Sequence, residues 1–213
     1  GHGGPSDPGA GAHTRGSAVN IANQVTLARI AGAGIVLVLL SLDSAGVLPA
    51  AWQPGLRWAV VALFVAAALT DALDGYLARS RNLVTVFGRI ADPFADKLLV
   101  TGTLVLLTAL PGASDVLRPW MVVVVLVREF LVSGIRGVLE SEGINFQAAA
   151  SGKLKMMVQV MAATALLVRV AAGPAPWLTA VAAGLVAAML LLALVSGYDY
   201  VRRGAVLLRE VKA

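Results

Sequence analysis

The chain has 213 residues, of which 58% are hydrophobic and 14% are charged, whereas an ordinary soluble domain carries about 25% charged residues. Its mean hydropathy of +0.82 excludes a conventional soluble protein and indicates an integral membrane protein. A net charge of +5 without one concentrated basic patch disfavours nucleic acid and suits anionic headgroups or phosphorylated ligands, and the absence of cysteine excludes disulfides.

The first segment, residues 1–18, is rich in Gly, Pro and Ser and has no hydrophobic periodicity. We interpret it as a disordered tail that can include residues added by cloning, because such a composition cannot bury enough apolar surface to fold. Residues 19–213 are expected to form a single transmembrane domain.

Six apolar runs follow in chain order, and each approaches the roughly 20 residues that a helix needs to cross a bilayer. They cover residues 25–43, 56–79, 88–110, 118–141, 151–172 and 176–201. The expected fold class is therefore all-α, an integral membrane protein of six transmembrane helices.

The positive charges predict how these spans lie in the membrane. Most Lys and Arg residues fall at the chain ends and at the second and fourth connections, and only Arg57, Arg118 and Arg169 lie on the other side. By the positive-inside rule, both termini and the even-numbered connections are expected to be cytoplasmic. Tyr198 and Tyr200 are expected to anchor the last span at that face.

Two polar stripes flank the second connection. At i, i+3, i+4, i+7 and i+8 of span two lie Asp71, Asp74, Gly75, Ala78 and Arg79. At i, i+4 and i+8 of span three lie Gly88, Asp92 and Asp96. The short connection makes the two helices antiparallel neighbours, so four carboxylates converge if the stripes face each other. Such carboxylates repel one another unless cations lie among them.

Carboxylate clusters of this kind suit Mg²⁺ or Mn²⁺, which keep coordination positions open for phosphate oxygens. Two such ions can hold a diphosphate and neutralise charge as a P–O bond breaks. Small residues between the acids leave room for a nucleotide against the backbone. The alternative is a charge-paired helix contact, in which Asp71 or Asp74 bridges to Arg79 or Arg89 and the glycines only permit close packing.

The pattern D-x2-D-G-x2-A-R-x8-G-x3-D-x3-D is the signature of the CDP-alcohol phosphatidyltransferases, and residues 71–96 match it without a gap. The chain resembles that family over residues 20–203. The resemblance implies a catalytic transmembrane domain in which the hydroxyl of a small alcohol displaces CMP from a CDP-linked lipid. It further implies a homodimer in a bacterial cytoplasmic membrane, with the active site on the cytoplasmic side.

The resemblance also implies roles for the motif residues. Two Mg²⁺ or Mn²⁺ ions would be bound by Asp71, Asp74, Asp92 and Asp96, and Asp96 would also be the general base. The CDP group would be framed by Gly75, Ala78, Arg79 and Gly88. Asn23, Thr26 and Arg29 could reach the nucleotide or an acceptor phosphate, or could equally form a helix cap and an interface anchor.

A second basic cluster lies within residues 127–159. Arg128 and Arg136 are nearly on one face of span four, and Lys153 and Lys155 begin span five. Four cations beside a CDP site predict a phosphorylated acceptor, although interface anchors that snorkel to water are the other interpretation of each. The R-E, S-x2-R and G-K-x-K pattern looks most like the bacterial branch of the family that joins CDP-diacylglycerol to glycerol 3-phosphate.

Other functions remain open at this point. Within the family, the alternatives are a phosphatidylinositol phosphate synthase and a cardiolipin synthase that uses phosphatidylglycerol. Outside the family, they are an intramembrane prenyltransferase, which also uses aspartates and Mg²⁺, and an ion transporter, in which membrane acids form the pathway. Metal-dependent release of CMP from a CDP-lipid distinguishes the family from both outside alternatives.

Overall fold

The computed structural model describes the backbone of residues 27–28, 30–81, 86–142 and 150–212, and the side chains of residues 27–28, 30–70, 97–139, 141–142 and 154–207. The predicted disordered tail, residues 1–18, lies outside these ranges, as do Asn23, Thr26 and Arg29.

The described chain is helical and contains no strand, which confirms the all-α class. Its helices in chain order are α1 (Ile30–Ser44), α2 (Gln53–Arg81), α3 (Val86–Leu107), α4 (Pro119–Ser141), α5 (Ala150–Ala172) and α6 (Pro176–Lys212). Each corresponds to one predicted apolar run. Two ends differ from the prediction, because α3 ends before residue 110 and α6 continues well past residue 201.

Helix ends follow ordinary capping chemistry. Pro119 and Pro176 begin α4 and α6 at the first helical position, where the missing proline N–H costs no hydrogen bond. Gly173 directly follows α5 with a φ of 87°, which glycine adopts without strain. Its N–H donates to the carbonyl oxygen of Arg169 at 3.0 Å, so α5 ends with a left-handed glycine cap.

The core lies between the helices, and every helix contributes to it. Helix α5 is central, because it packs against α2, α3 and α6, while α6 also packs against α4. The fully buried side chains of the core include, one from each helix in chain order, Val36, Phe64, Leu104, Val125, Leu166 and Met189. This packing fixes how the ends of the helices are placed relative to one another.

Within the part of the chain that the structure describes, three helices contain segments long and apolar enough to cross a membrane: Gln53–Thr70, Leu154–Ala172 and Pro176–Leu207. Shorter apolar stretches occupy Ile30–Ser44 and Lys97–Leu107. Large hydrophobic side chains are exposed around the outside of the bundle, for example Val38, Phe130 and Leu194. Such a surface is suited to lipid and not to water. The protein is therefore a membrane protein, and the count of six spans stays a prediction.

Two ion pairs tie together the end of the bundle that lies opposite the aspartate stripes. Arg57, near the start of α2, donates from Nε to Asp43 at 2.8 Å. Arg169, in the last turn of α5, donates from Nη1 and Nη2 to Asp115 at 2.8 and 2.7 Å and also donates to the carbonyl of Gly112. The first pair joins the end of α1 to α2, and the second holds the segment that follows α3 against α5.

Candidate functional site

The aspartate stripes lie on helical backbone, as their spacing requires. Helix α2 continues without a break to Arg81, α3 begins at Val86, and the two helices contact each other. The side chains of Lys153 and of the eight motif residues lie outside the described set. The motif residues are Asp71, Asp74, Gly75, Ala78, Arg79, Gly88, Asp92 and Asp96. Their assigned roles therefore stay predictions.

The basic cluster is built around a carboxylate that the sequence analysis did not single out. Glu129 on α4 forms an ion pair with Lys155 on α5, and its Oε1 lies 3.4 Å from Nη1 of Arg128. Arg128 and Lys155 are only 7% and 5% exposed, so neither reaches water as a snorkelling anchor would. A buried cation is costly without a partner, and Glu129 supplies one to both.

Helix α6 also contacts Arg128. The Nε of Arg128 donates to Oγ of Ser196 at 3.0 Å, and its Cζ lies 5.5 Å from the centre of the Tyr200 ring. Tyr200 is buried, so its expected role as an interface anchor is wrong, whereas Tyr198 is exposed and fits that role. The tyrosine is buried because α4 packs against α6 at this level.

Two further cations complete the cluster. Lys97, next to Asp96 on α3, donates to Oγ of Ser133 on α4 at 2.5 Å. The positive charges of Arg128 and Lys97 both act on Lys155. Arg136 repels Arg128, and its own Nε is buried with no hydrogen-bond partner among the described residues. The structure therefore brings together three of the four predicted acceptor-site cations and adds Lys97.

The cluster also lies next to the helix that carries Asp92 and Asp96. Helix α3 contacts both α4 and α5, and Lys97 is one residue beyond Asp96 in the same helix. Among the described side chains, no group of three or more His, Asp or Glu residues could hold a metal ion. The donor set predicted for a metal is the one in the motif, and the basic cluster lies beside the helix that carries two of its aspartates.

Glu129, Ser196 and Tyr200 were missed because their partners come from other helices. One signal for them was present in the sequence. Ser196 and Tyr200 are four apart on an otherwise apolar span, so they share one helix face. Polar side chains at such a spacing within a membrane helix usually face the bundle interior.

A family model described as CDP-alcohol phosphatidyltransferase matches residues 19–198. The chain is 42% identical over 151 residues to the CDP-diacylglycerol–glycerol-3-phosphate 3-phosphatidyltransferase of Bacillus subtilis (strain 168), covering 70% of this chain and 76% of the relative. It is 32% identical over 181 residues to the Rickettsia bellii (strain RML369-C) protein of the same name, covering 85% and 93%.

A third relative is the probable phosphatidylglycerophosphate synthase of Mycobacterium tuberculosis (strain ATCC 25618 / H37Rv), which is 35% identical over 189 residues, covering 89% of this chain and 83% of the relative. The helical membrane fold, the aspartate motif and these matches agree. The chain belongs to the CDP-alcohol phosphatidyltransferase family, a family of phospholipid-synthesising transferases.

Proposed function

We propose that this protein transfers the phosphatidyl group of CDP-diacylglycerol to glycerol 3-phosphate, forming phosphatidylglycerophosphate and CMP. The observation that carries the acceptor assignment is the basic cluster beside the motif, in which Arg128 and Lys155 are buried and the Nε of Arg136 is buried and unpartnered within the described residues. The names of the relatives support the same acceptor.

The charge of the cluster favours an acceptor that bears a phosphate. Arg128 and Lys155 share one carboxylate, that of Glu129, and the Nε of Arg136 has no hydrogen-bond partner among the described residues, so cations outnumber carboxylates in this group of three cations. Excess charge away from water is unfavourable until a counter-ion binds. A phosphomonoester supplies up to two negative charges and several acceptor oxygens, which a neutral alcohol does not. Lys153, two residues before Lys155, is proposed to belong to the same basic cluster.

The motif fits a pair of divalent metal ions, and the family is generally metal-dependent. Its four carboxylates are hard oxygen donors at intervals of three and four residues on helical backbone. Asp71, Asp74, Asp92 and Asp96 would hold Mg²⁺ or Mn²⁺. When bound, the ions would supply positive charge that neutralises the diphosphate.

The chain's own residues account for the remaining steps. Gly75, Ala78, Arg79 and Gly88 frame the CDP group, and Asn23 and Thr26 are proposed to reach it as well. Asp96 accepts the proton of the acceptor hydroxyl as that oxygen attacks the phosphorus that carries diacylglycerol. The bond from this phosphorus to the oxygen of CMP breaks, and CMP leaves. The basic cluster holds the acceptor phosphate, so the hydroxyl is presented to the attacked phosphorus.

This assignment places the protein in a bacterial cytoplasmic membrane, with both termini and the site on the cytoplasmic side. The excess of Lys and Arg at that end supports the orientation. A homodimer is also proposed. A Cβ at Gly32, Gly34, Gly134 or Gly137 would meet no atom of the described residues within 4 Å, so these positions leave space at which a second copy could approach closely.

An acceptor panel tests the proposal. Purified protein is supplied with CDP-diacylglycerol and either glycerol 3-phosphate, inositol phosphate, phosphatidylglycerol or glycerol, and release of CMP is measured. We expect release with glycerol 3-phosphate alone. Release only with inositol phosphate or only with phosphatidylglycerol would refute the proposed acceptor and assign the protein to another branch of the family.

Asp96→Asn tests the general base in the same assay. The amide cannot take up the proton, so we expect turnover to fall by at least about 100-fold while binding of CDP-diacylglycerol is largely kept. Full activity of this variant would refute the assigned base.

A further inference from the structure

We propose that Ser196, Gly197 and Tyr200 of α6 form a cradle that positions Arg128 for the acceptor phosphate, so that these three residues tune acceptor binding without touching the acceptor. This inference rests on the proposed function, because it takes Arg128 to be a ligand of that phosphate. It assigns a functional role to the last helix, which carries none of the aspartate motif.

Ser196 fixes one edge of the guanidinium. Its hydroxyl donates to the backbone carbonyl of Leu192 and lies 3.3 Å from that of Ala193, so its single proton is committed to its own helix. The oxygen is left as an acceptor, and it takes the Nε–H of Arg128 at 3.0 Å. Both side chains are buried, so water does not compete for this bond.

Gly197 and Tyr200 fix the stem and the face of Arg128. A Cβ on Gly197 would lie 3.3 Å from Cγ of Arg128, which is tighter than ordinary contact, so glycine lets α6 approach the aliphatic stem. The Tyr200 ring lies against the guanidinium, with 5.5 Å between Cζ and the ring centre. A buried cation over an aromatic face is stabilised electrostatically.

The contacts together restrict the guanidinium to one orientation. Ser196 holds Nε, Glu129 approaches Nη1 at 3.4 Å, and Tyr200 covers one face. We expect Nη2 to meet the acceptor phosphate. An arginine side chain loses rotational freedom about several bonds when it binds an anion, and a side chain that is already held in place loses less of this freedom. The cradle should therefore lower the KM for the acceptor and leave that for CDP-diacylglycerol unchanged.

The test compares KM values for glycerol 3-phosphate and for CDP-diacylglycerol in Ser196→Ala, Gly197→Ala and Tyr200→Leu. We expect the acceptor KM to rise about 3- to 10-fold in Ser196→Ala and Tyr200→Leu, the range that loss of one hydrogen bond or one cation–π contact produces. It should also rise in Gly197→Ala, because the added Cβ displaces the stem of Arg128. The KM for CDP-diacylglycerol should stay at its original value. Tyr200→Phe keeps the ring and should raise the acceptor KM less than Tyr200→Leu. Tyr198→Leu, on the exposed face of the same helix, is the matched control.

Arg128→Lys separates this inference from the proposed function. An unchanged acceptor KM in Arg128→Lys would refute Arg128 as a phosphate ligand, and with it the basis of the cradle. A raised acceptor KM in Arg128→Lys, with no change in the three α6 variants or an equal rise for both substrates, would refute the cradle alone. Ser196→Ala added to Arg128→Lys should raise the acceptor KM no further, because the serine acts through the arginine.

Discussion

Glu129 is the carboxylate on which the buried cations of the site depend. It lies between Arg128 and Lys155, and its side chain is 14% exposed while theirs are 8% and 6% exposed. Removal of one member of a buried ion pair leaves an uncompensated charge, which costs about 3–5 kcal/mol. The carboxylate thus permits two cations to stay within an apolar bundle when no acceptor is bound.

We therefore predict that Glu129→Gln lowers the free energy of unfolding by several kcal/mol, measured by thermal or denaturant unfolding in detergent, and that glycerol 3-phosphate restores part of the loss. An added anion can replace the missing charge. Glu142→Gln, the same change at an exposed position near the end of α4, should have little effect. Equal stability of the two variants would contradict the proposed role of Glu129.

Asp115 carries the pH dependence of its ion pair with Arg169. The hydrogen bonds that Arg169 donates to it lower the pKa of this carboxyl below its usual value of 3.8. Because the pKa is lowered in the folded state, the contribution to stability is present above pH 3.8 and is lost as the pH falls through the lower, folded-state pKa. The carboxylate is 57% exposed, so the contribution is limited by solvent screening.

Asp115→Asn is expected to be less stable than the original protein at pH 7, by about 1 kcal/mol or less, and the difference should be smaller at about pH 2, because the contribution falls as the pH drops below 3.8. Unfolding curves of both proteins at the two pH values check this. A difference of the same size at both pH values would contradict the assignment of the effect to this carboxylate.

At the scale of the helices, the apolar runs predict the elements well but not all of their ends. Residues up to 110 read as apolar, yet α3 ends at Leu107, and the segment after it turns while burying Leu110, Ala113 and Leu117. Hydropathy measures burial and does not separate helix from a packed turn. For α6 the predicted span was too short, because the helix continues through polar residues to Lys212 beyond the apolar run.

The candidate site, too, could be predicted only in part from the sequence. The motif could be placed on helices from its spacing, since residues three and four apart share a helix face. The cations of the basic cluster were also found from the sequence. Glu129, Ser196 and Tyr200 could not be paired with them, because those contacts join α4 to α5 and α6. Contacts between helices depend on packing, which a single sequence does not give.

The part of α6 that lies beyond the predicted apolar run packs tightly on α4. A Cβ on Gly204 would lie 2.7 Å from Cγ2 of Ile135, and the methyl of a β-branched side chain cannot move away easily. We predict that Gly204→Ala lowers stability by about 1–3 kcal/mol, although alanine favours helix more than glycine does. Gly184→Ala has open space on the same helix and is the control, which thermal unfolding compares.

A second substitution tests the cause. Adding Ile135→Ala to Gly204→Ala removes the methyl that would clash, so the double variant should regain stability relative to Gly204→Ala once the cost of Ile135→Ala alone is subtracted. Strictly additive effects would mean that the two residues do not press on each other.

At the scale of the whole molecule, ion pairs lie at both ends of the described bundle. At one end, Arg57 is paired with Asp43 and Arg169 with Asp115. At the end that carries the motif, Arg128 and Lys155 share the carboxylate of Glu129. The first two pairs contribute to stability, and the second end is where we predict that an anion binds.

The aspartate motif gives a prediction for the protein as a whole. Chelation of divalent ions should abolish release of CMP, and added Mg²⁺ or Mn²⁺ should restore it, because four adjacent carboxylates need cations to hold a diphosphate. Helical content is measured alongside as the control for unfolding. Activity that persists in excess chelator with the fold intact would contradict the proposed metal site.

The central claim is that a buried anion site beside the motif delivers glycerol 3-phosphate to the phosphorus of CDP-diacylglycerol. The most direct measurement is transfer of radiolabel from glycerol 3-phosphate into the lipid fraction by the purified protein, followed as a function of time together with release of CMP. We predict one labelled lipid phosphate formed for each CMP released, and loss of both in Asp96→Asn. Release of CMP without label in the lipid would contradict the account.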